Sequence, residues 1–394
     1  MRCETIYHIF KHTSSLELLV APPEALQQIR MKVAFISRTT LYSSPGGDTH
    51  QIDMTAYYLR RLNVDVDIYL ANQDIDYQQY DLLHFFNIIR PADILKHARK
   101  SRVPFVISTI FVDYGEFEKK NRSGMAGIIT RSFSADTLEY LKVIARWLKN
   151  GERPGSFSYL WSGHRRSVQW LMRKAAMLLP NSHSEYRRLE EQYGISRKYH
   201  VVPNGIDTEI CQRQYTEIPE YKNAVLCMAR IEGRKNQLRL IQALRNTACR
   251  LFIHGKPSPN HQAYYEQCIA AAAGAENIKI AGWLEGDKLY AAYHSAKVHV
   301  LPSYFETTGL SSLEAGVMGC NIVITDKGDT REYFGDDAWY CDPDAPDSIR
   351  QAVEAARAAP YNEAFRERIL KEYAWERAAQ ETLAAYKTVL KRMS

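Results

Sequence analysis

The chain has no long hydrophobic run, no internal repeat and no ordered set of cysteines. No apolar segment approaches the roughly 20 residues that span a bilayer, so an integral membrane protein is not expected. The seven cysteines are scattered, odd in number and without a C-x-x-C pair, which argues against disulfide frameworks and zinc sites. This cysteine pattern favours a reducing compartment, and we expect the cytoplasm.

The N-terminal segment also lacks the features of a signal peptide, namely a charged start, a clean apolar core and a small-residue cleavage site. The apolar run that follows, from Met31 to Ser37, is typical of the first strand of a domain. We therefore expect residues 1–30 to be a poorly packed extension.

Short apolar runs alternate with helical patterns in both halves of the 394 residues, a length that suits two domains. The polar segment over residues 208–223 separates the halves, and the last clear strand is expected at Asn321–Thr325. The alternation predicts an α/β fold of two doubly wound, Rossmann-like domains with parallel sheets, over residues 31–203 and 204–374. In such folds the ligand binds at the carboxyl ends of the strands, here between the domains.

The most informative segment carries two glutamates, Glu306 in a loop after a buried strand and Glu314 in the following helix. The helix is expected to start at residues 311–312, and the amides of residues 308–312 would then attract phosphate. Carboxylates beside such amides can accept hydrogen bonds from sugar hydroxyls, which indicates a nucleotide-sugar pocket. The alternative is structural, a capping box between Ser311 and Glu314.

Two cations, Arg230 and Lys235, follow the strand that ends at Met228 and precede the next helix. At the carboxyl edge of a sheet they could neutralise a diphosphate, arginine as a fork and lysine as a point charge. The alternative is an ordinary pair of surface cations at a helix start.

Asp-x-Asp pairs raise the alternative of a metal-dependent transferase. The pairs are Asp65 with Asp67, Asp74 with Asp76, and Asp342 with Asp344. The first pair lies on one face of an alternating strand, most simply toward solvent, and the others lie in polar connections. Because the cationic pair makes a metal dispensable, we expect no metal and no cofactor.

Basic residues are concentrated between residues 119 and 198, with about 16 Lys and Arg against about 6 Asp and Glu. Aromatic and apolar residues alternate with them at helical spacing. Examples are Leu141, Trp147, Trp161, Arg165, Arg166, Trp170, Arg173 and Lys174. The pattern suits a helix on an anionic membrane surface or an amphipathic helix packed on its own domain. Nucleic acid is the least favoured partner.

Taken together, these motifs resemble the retaining glycosyltransferases of family 4, which have the GT-B fold. The resemblance rests on the cations, the paired glutamates and four further motifs, and it covers about residues 31–392. Those motifs are Pro45-Gly46-Gly47, Val202-Pro203-Asn204-Gly205-Ile206-Asp207, Gly282-Trp283-Leu284 and Trp375-Glu376. The last motif implies that residues 375–394 cross back to the first domain.

The resemblance implies a role for each motif. Arg230 and Lys235 would hold the donor diphosphate, Glu306 would face the transferred sugar, and Glu314 would bind the ribose. The remaining donor contacts would come from Thr308, Gly309, Leu310, Gly282, Trp283, Leu284, Gly46 and Gly47. The implied partners are a nucleotide-diphosphate sugar and a glycan or polyprenyl-linked glycan acceptor, in polysaccharide synthesis at the inner membrane face.

The acceptor side departs from the family pattern, because the strand after Pro104 is followed by no histidine. His84 is the nearest counterpart at a strand end, although it can equally be a core histidine. Asp113 could orient the acceptor hydroxyl instead. Two other functions remain open, a nucleotide-sugar epimerase of similar architecture and a catalytically silent sugar-binding protein.

Overall fold

The computed structural model describes residues 30–112, 136–137, 140, 157–258 and 261–392. Residues Met31–Ser394 form one compact unit. The expected extension ahead of Met31 (apart from Arg30), Asp113 and most of the basic segment before Phe157 lie outside the described residues.

The first domain is built on a five-stranded sheet in which all neighbouring strands are parallel, in the order β2-β1-β3-β4-β5. The strands are β1 (Lys32–Ser37), β2 (Asp65–Leu70), β3 (Leu82–Phe86), β4 (Phe105–Ser108) and β5 (Met177–Leu179). Every residue of β3, β4 and β5 is buried. Helices covering both faces of a parallel sheet explain why these strands read as continuous apolar runs.

Four helices of this domain lie in the described residues between Gly47 and Tyr193, and two of them start with a capping hydrogen bond. They are α1 (Gly47–Arg61), α2 (Pro91–Lys100), α3 (Phe157–Lys174), interrupted at Gly163, and α4 (His183–Tyr193). At the start of α1 the Gly46 N–H donates to Thr49 Oγ1 at 3.0 Å. At the start of α4 the Ser182 hydroxyl accepts from the Glu185 N–H at 2.9 Å, as an N-cap serine should.

The second domain has a six-stranded parallel sheet in the order β11-β10-β9-β6-β7-β8. Its strands are β6 (Val225–Met228), β7 (Leu251–His254), β8 (Ile278–Ala281), β9 (Val298–Leu301), β10 (Asn321–Thr325) and β11 (Ala338–Cys341). Strand β11 lies at the sheet edge and only Cys341 is buried in it. The sequence prediction ended at β10 because this short, half-exposed run lacks a buried apolar pattern.

The helices of the second half complete the two cores. They are α5 (Gln237–Leu244), α6 (Gln262–Ala272), α7 (Asp287–Ser295), α8 (Leu310–Val317), α9 (Thr330–Phe334), α10 (Pro346–Ala358), α11 (Glu363–Glu372) and α12 (Trp375–Leu390). Helix α12 packs in the core of the first domain, where Trp375 and Tyr386 are buried beside Ile52 and Leu59 of α1. Among the described residues, none of the helices has the length and apolar character to cross a membrane.

The chain passes between the domains twice at neighbouring positions. The Ile206 N–H donates to Tyr373 O at 2.7 Å, and the Trp375 N–H donates to Ile206 O at 3.1 Å. A Cβ at Gly205 would lie 2.5 Å from the carbonyl carbon of Ala374, so only glycine fits here. The two crossings are therefore in direct contact. The domain limits at residues 203–204 and 374–375 stay a prediction.

Candidate active site

A cavity of about 450 Å³ lies between the domains, at the carboxyl ends of both sheets. Its wall combines residues from loops that follow β1, β3 and β4 with residues that follow β6 and β9. These include Arg38, Gly46, Gly47, Asn87, Arg90 and Ile110 from the first domain, and Arg230, Lys235, Glu306, Thr308, Gly309 and Leu310 from the second. The structure thus brings most of the predicted site residues together.

Glu306 is the buried carboxylate of this site, and it lies in the loop between β9 and α8. Lys235 Nζ donates to Glu306 Oε1 at 2.6 Å, and Arg234 Nη1 lies 3.5 Å from the same oxygen. Burial disfavours the ionised form, but the two cations outweigh it and hold the pKa of Glu306 below its usual range. Glu306 is therefore a fixed negative charge with cations on its flank.

The position of Lys235 follows from a short 3₁₀ turn over Gly233–Lys235 that ends at Asn236. Asn236 has a left-handed φ of 61°, and its amide donates to Pro302 O at 3.0 Å and to Pro343 O at 2.8 Å. Burial lowers the pKa of Lys235, and Glu306 opposes that shift. The ammonium is consequently held in one place before any ligand binds.

Glu232 organises the remaining cations of this wall. Its carboxylate accepts from Arg234 Nη2 at 3.1 Å and from the Ser258 hydroxyl at 2.7 Å, and Arg230 Nη2 lies 3.7 Å away. Burial opposes ionisation, yet Arg234 and Arg230 keep the pKa of Glu232 lowered. The Arg230 side chain is 42% exposed, so its guanidinium remains accessible from the cleft.

The start of α8 forms the third component of the second-domain side of the cavity, which we call the donor wall and which also contains Arg230, Lys235 and Glu306. The helix begins after Gly309, whose φ of 69° is left-handed, and no side chain caps it. The alternative of a capping box between Ser311 and Glu314 is therefore not realised, because the helix starts earlier than predicted. Amides of the first helical turn have no intrahelical acceptor, so those at residues 310–311 are donors available to an anion in the cavity wall.

Glu314 lies one turn further along α8, half-buried and outside the wall of this cavity. Burial, with added repulsion from Asp207, raises the pKa of Glu314 to about 7. Gly282, Trp283 and Leu284 follow β8 and also lie outside the cavity wall. Trp283 is 44% exposed there.

The opposite wall carries the glycine-rich loop before α1. Arg38 holds that loop, because its Nε and Nη2 donate to the Asp48 carboxylate at 2.6 and 3.0 Å and its Nη1 donates to Thr40 O at 2.7 Å. Burial works against ionisation of Asp48, but the bidentate arginine keeps the pKa of that carboxyl lowered. Gly46 and Gly47 consequently present backbone to the cleft.

His84 does not reach the cleft, which corrects its assignment to the acceptor side. The residue is 1% exposed, and its ring nitrogens pair with the Tyr386 hydroxyl at 2.6 Å and the Ser108 hydroxyl at 2.8 Å. Burial lowers the pKa of His84 to about 3. It is a core histidine at the α12 contact, and the other acceptor-side candidate, Asp113, lies outside the described residues.

Two groups of polar residues were not anticipated from the sequence. Arg234 and Glu232 resemble surface charges when read alone, although both lie within the six-residue span from Arg230 to Lys235. The second group joins the domains and consists of His183, Ser184, Arg188, Asp329 and Glu332. Its members lie far apart in the chain, and no local pattern connects them.

Among the described residues, no three His, Cys, Asp or Glu side chains converge as metal ligands do. The chemistry available in the cleft is that of fixed cations, helix amides and one buried carboxylate. Two parallel-sheet α/β domains with such a cleft define the GT-B class of fold.

Comparison with known families assigns the chain within that class. Residues 210–373 match the family described as "Glycosyl transferases group 1", and residues 50–210 match "Glycosyltransferase Family 4". The chain therefore belongs to the group 1 glycosyltransferases with a GT-B fold.

Individual relatives are distant. A glycosyltransferase of Methanocaldococcus jannaschii, itself uncharacterized, is 27% identical over 50% of this chain and 55% of that protein. The MMP alpha-(1->4)-mannosyltransferase of Mycolicibacterium hassiacum is 24% identical, and the match covers 59% of each chain. The chain thus spans about half the length of the curated relatives it matches.

Solved structures share the fold. Sucrose-phosphate synthase from Thermosynechococcus elongatus superposes with a TM-score of 0.68 at 14% identity, covering 92% of this chain and 100% of that one. HepE from Anabaena, in complex with UDP, gives a TM-score of 0.66 at 14% identity over 91% of this chain and 100% of that one.

Proposed function

We propose that this protein transfers a sugar, with retention of configuration and without a metal, from a nucleotide-diphosphate sugar to a glycan or polyprenyl-linked glycan. The observation that carries the proposal is the buried Glu306, bonded to Lys235 and flanked by Arg234, which lines the same cavity as the uncapped start of α8. The nucleotide part is supported by HepE, which has been solved with UDP and with UDP-glucose.

The donor wall suits a diphosphate leaving group. Arg230 and Lys235 would bind its oxygens, and the amides of Thr308, Gly309 and Leu310 would complete the contacts. Donors that are fixed before the reaction stabilise charge as it develops on the leaving group, without reorganisation. Three cations face two carboxylates on this wall, which leaves it net positive for an anionic ligand.

Glu306 would face the transferred sugar and stabilise positive character at the anomeric carbon. Its bond to Lys235 keeps it ionised at neutral pH, and both cations engage its Oε1, which makes that oxygen a poorer nucleophile. In the proposed reaction the leaving phosphate therefore takes the proton of the incoming hydroxyl, the sugar–phosphate bond breaks, and the glycosidic bond forms on the same face.

The remaining contacts with the donor would come from both domains. Glu314 would accept hydrogen bonds from the ribose hydroxyls, and Gly282, Trp283 and Leu284 would line the base. Gly46 and Gly47 would let the first domain approach the phosphate or the acceptor. Asp113 stays our candidate for orienting the acceptor hydroxyl.

We further propose that the first domain contacts an anionic membrane surface through α3. Val168 and Leu171 bury one face of this helix in the domain core, whereas Trp161 is 95% exposed. Exposed basic side chains follow Trp161 along α3, beyond the interruption at Gly163, namely Arg165, Arg166, Arg173 and Lys174. An exposed tryptophan among basic residues suits the interface of an anionic bilayer. Flotation with anionic vesicles at low salt tests this, and absence of binding would reject it.

The function is tested by incubating the full chain with UDP-, GDP- and dTDP-sugars and a panel of glycan and polyprenyl-linked acceptors, with EDTA present. We expect one donor to be consumed only with an acceptor, giving a product whose anomeric configuration by NMR equals that of the donor. Conversion of the donor alone would indicate an epimerase. Nucleotide binding without turnover would indicate a silent binding protein, and turnover restored only by manganese would contradict the metal-free reaction.

A further inference from the structure

The loop after β4 contains an unusual backbone conformation. Ile110 has a φ of +44°, in the left-handed region. The other non-glycine residues with positive φ in the described part of the chain are all asparagines, namely Asn63, Asn87, Asn223, Asn236 and Asn246. Asparagine tolerates this region, whereas a β-branched residue there costs on the order of 1–3 kcal/mol and persists only when its surroundings impose it.

One carboxylate holds both neighbours of Ile110. The Phe111 N–H donates to Glu185 Oε1 at 2.7 Å, and the Thr109 hydroxyl donates to the same oxygen. The other oxygen, Oε2, accepts from the Asn181 N–H at 2.8 Å. The Glu185 carboxylate therefore binds the residues before and after Ile110 and connects them to the segment that follows β5.

Glu185 itself is completely enclosed. Its exposed fraction is 0%, and it belongs to the first turn of α4, where Ser182 caps its own N–H. Burial, with added repulsion from Asp329, raises the pKa of Glu185 to about 7 despite the three donors. Burying a carboxylate in this way is energetically costly. Glu185 is not among the residues that line the cavity, so it does not contact a ligand there.

The strained residue, in contrast, is part of that wall. Ile110 and Val112 line the first-domain side of the cavity, together with Gly46 and Asn181, across from Glu306. An apolar side chain at this place contacts whatever occupies the acceptor side, and its direction depends on the backbone angles at residue 110. A relaxed φ would turn the side chain away and reshape the wall.

We propose that Glu185 is a positioning residue that imposes the left-handed conformation of Ile110 and thereby shapes the acceptor wall of the cleft. The geometric part is independent of the reaction, whereas the acceptor role of this wall rests on the proposed function. Glutamine at residue 185 offers a single carbonyl oxygen. It can therefore satisfy the Phe111 N–H or the Asn181 N–H, but not both.

The test compares hydrogen exchange of the Phe111 and Asn181 amides, resolved by overlapping peptides, in the wild type, Glu185→Gln and the matched control Glu191→Gln. Glu191 is exposed on the same helix. We expect Glu185→Gln to speed exchange of the amide that loses its acceptor, Phe111 or Asn181, by about tenfold or more, the equivalent of one lost hydrogen bond, and Glu191→Gln to leave both unchanged. Unchanged exchange of both amides in Glu185→Gln would overturn the proposal.

A second substitution distinguishes a positioning role of Glu185 from a general structural role. Ile110→Asn places a residue that tolerates the left-handed region at the strained position. In that background the effect of Glu185→Gln on the exchange of the affected amide should shrink to about threefold or less, because less strain remains to be held. An equal effect in both backgrounds would overturn the proposal, since Glu185 would then only anchor α4.

Kinetics test the acceptor role separately. With the donor and acceptor found in the transfer assay, Glu185→Gln should raise the acceptor KM by about tenfold and leave the donor KM within about twofold. Equal changes in both constants would contradict an acceptor-side role. If no transfer occurs at all, the proposed function fails while the exchange measurements still decide whether Glu185 imposes the conformation.

Discussion

At the residue scale, the donor wall depends on buried charges that neutralise one another. Lys235 and Glu306 are 14% and 7% exposed, and their contact of 2.6 Å leaves neither charge unpaired. Removing one partner of a buried pair leaves the other charge buried and unpaired, which typically costs about 3–5 kcal/mol. The arrangement that would prepare the site for the proposed diphosphate is therefore also part of the stability of the fold.

Lys235→Ala should reduce kcat/KM by about a thousandfold, because a fixed cation at the leaving group is lost. The free energy of unfolding should fall by about 3 kcal/mol, because Glu306 is left with Arg234 alone. Transfer rates and urea denaturation measure the two effects, with the exposed Lys222→Ala as the control. Retention of more than about a tenth of the activity would remove Lys235 from the mechanism.

Glu314 predicts a pH dependence of stability. Its pKa is about 7 in the folded protein and about 4.3 when unfolded, so the folded state binds the proton more tightly. The favourable contribution is complete below the unfolded pKa and is lost as the pH rises through about 7. Glu314→Gln, which cannot ionise, should therefore lose less stability than the wild type between about pH 5 and 8.

Urea denaturation at both pH values measures this difference, and the exposed Glu354→Gln should retain the wild-type slope. Part of the change in unfolding free energy with pH remains in every variant, because burial raises the pKa of the Glu185 carboxyl to about 7 as well. A slope that Glu314→Gln leaves unchanged would show that Glu314 is not held in its neutral form.

The sequence predicts the charges at the strand ends better than the charges between them. Arg230, Lys235 and Glu306 stand at strand ends, where parallel sheets collect their functional residues. Glu232 and Arg234 escaped prediction because a charged residue in a short turn is ordinary on any surface. Their roles follow from contacts with each other, with Glu306, with the Ser258 hydroxyl and with the Phe305 carbonyl, which the linear pattern does not contain.

At the element scale, the loop that carries Glu306 is fastened to the loop after β10. The Asp329 N–H donates to Glu306 O at 2.9 Å, and the Glu306 N–H donates to Lys327 O at 3.2 Å. Gly328 lies between those partners with a φ of 97°. A Cβ at Gly328 would approach Glu306 O to 1.9 Å, so this glycine permits the close contact of the two loops.

Gly328→Ala should therefore displace the Glu306 backbone and reduce the transfer rate by about a hundredfold. Gly319→Ala is the matched control, since its φ of 106° brings similar strain but its Cβ would meet nothing within 4 Å. Both variants should lose about 1 kcal/mol from backbone strain, and only Gly328→Ala should lose activity as well. Equal activities in the two variants would mean that the loop contact does not position Glu306.

The buried strands could be predicted from the sequence, whereas the edge strand β11 could not. Strands β3, β4 and β9 are short apolar runs with every residue buried, so their pattern survives in the sequence. Strand β11 pairs only with β10 and is half-exposed, so its composition resembles a loop. The start of α8 was misplaced because a left-handed Gly309, rather than a serine, precedes it.

At the scale of the whole molecule, a polar contact joins the two domains beside the cleft. Glu332 of the second domain accepts from the His183 and Ser184 N–H groups, at 2.7 and 2.9 Å, at the start of α4. Arg188 Nη2 donates to the Asp329 carboxylate at 2.9 Å. A carboxylate at a helix start also interacts favourably with the helix dipole, so the contact favours the domain arrangement described here.

Glu332→Ala should loosen this contact. We expect the amides of His183 and Ser184 to exchange about tenfold faster, because each loses a charged acceptor. Glu354→Ala, an exposed glutamate of α10, provides the control in the same domain. Unchanged exchange in Glu332→Ala would show that the domain arrangement does not depend on this carboxylate.

The two-domain plan was readable from the alternation of strands and helices, whereas the domain contact was not. The hydrogen bonds of Glu332 join residues 149 and 148 positions apart, and nothing in either segment specifies the other. The acceptor side was also less predictable than the donor side, as the burial of His84 against Tyr386 of α12 demonstrates.

Calorimetric titration of UDP, GDP and dTDP into the full chain, with EDTA present, is the most direct test of a diphosphate site in this cleft. We expect one of these nucleotides to bind with a Kd of about 1–100 μM and Lys235→Ala to weaken its binding by about tenfold or more, while Lys222→Ala does not. Absence of binding by all three nucleotides, or equal affinities in the wild type and Lys235→Ala, would contradict a diphosphate site at this wall.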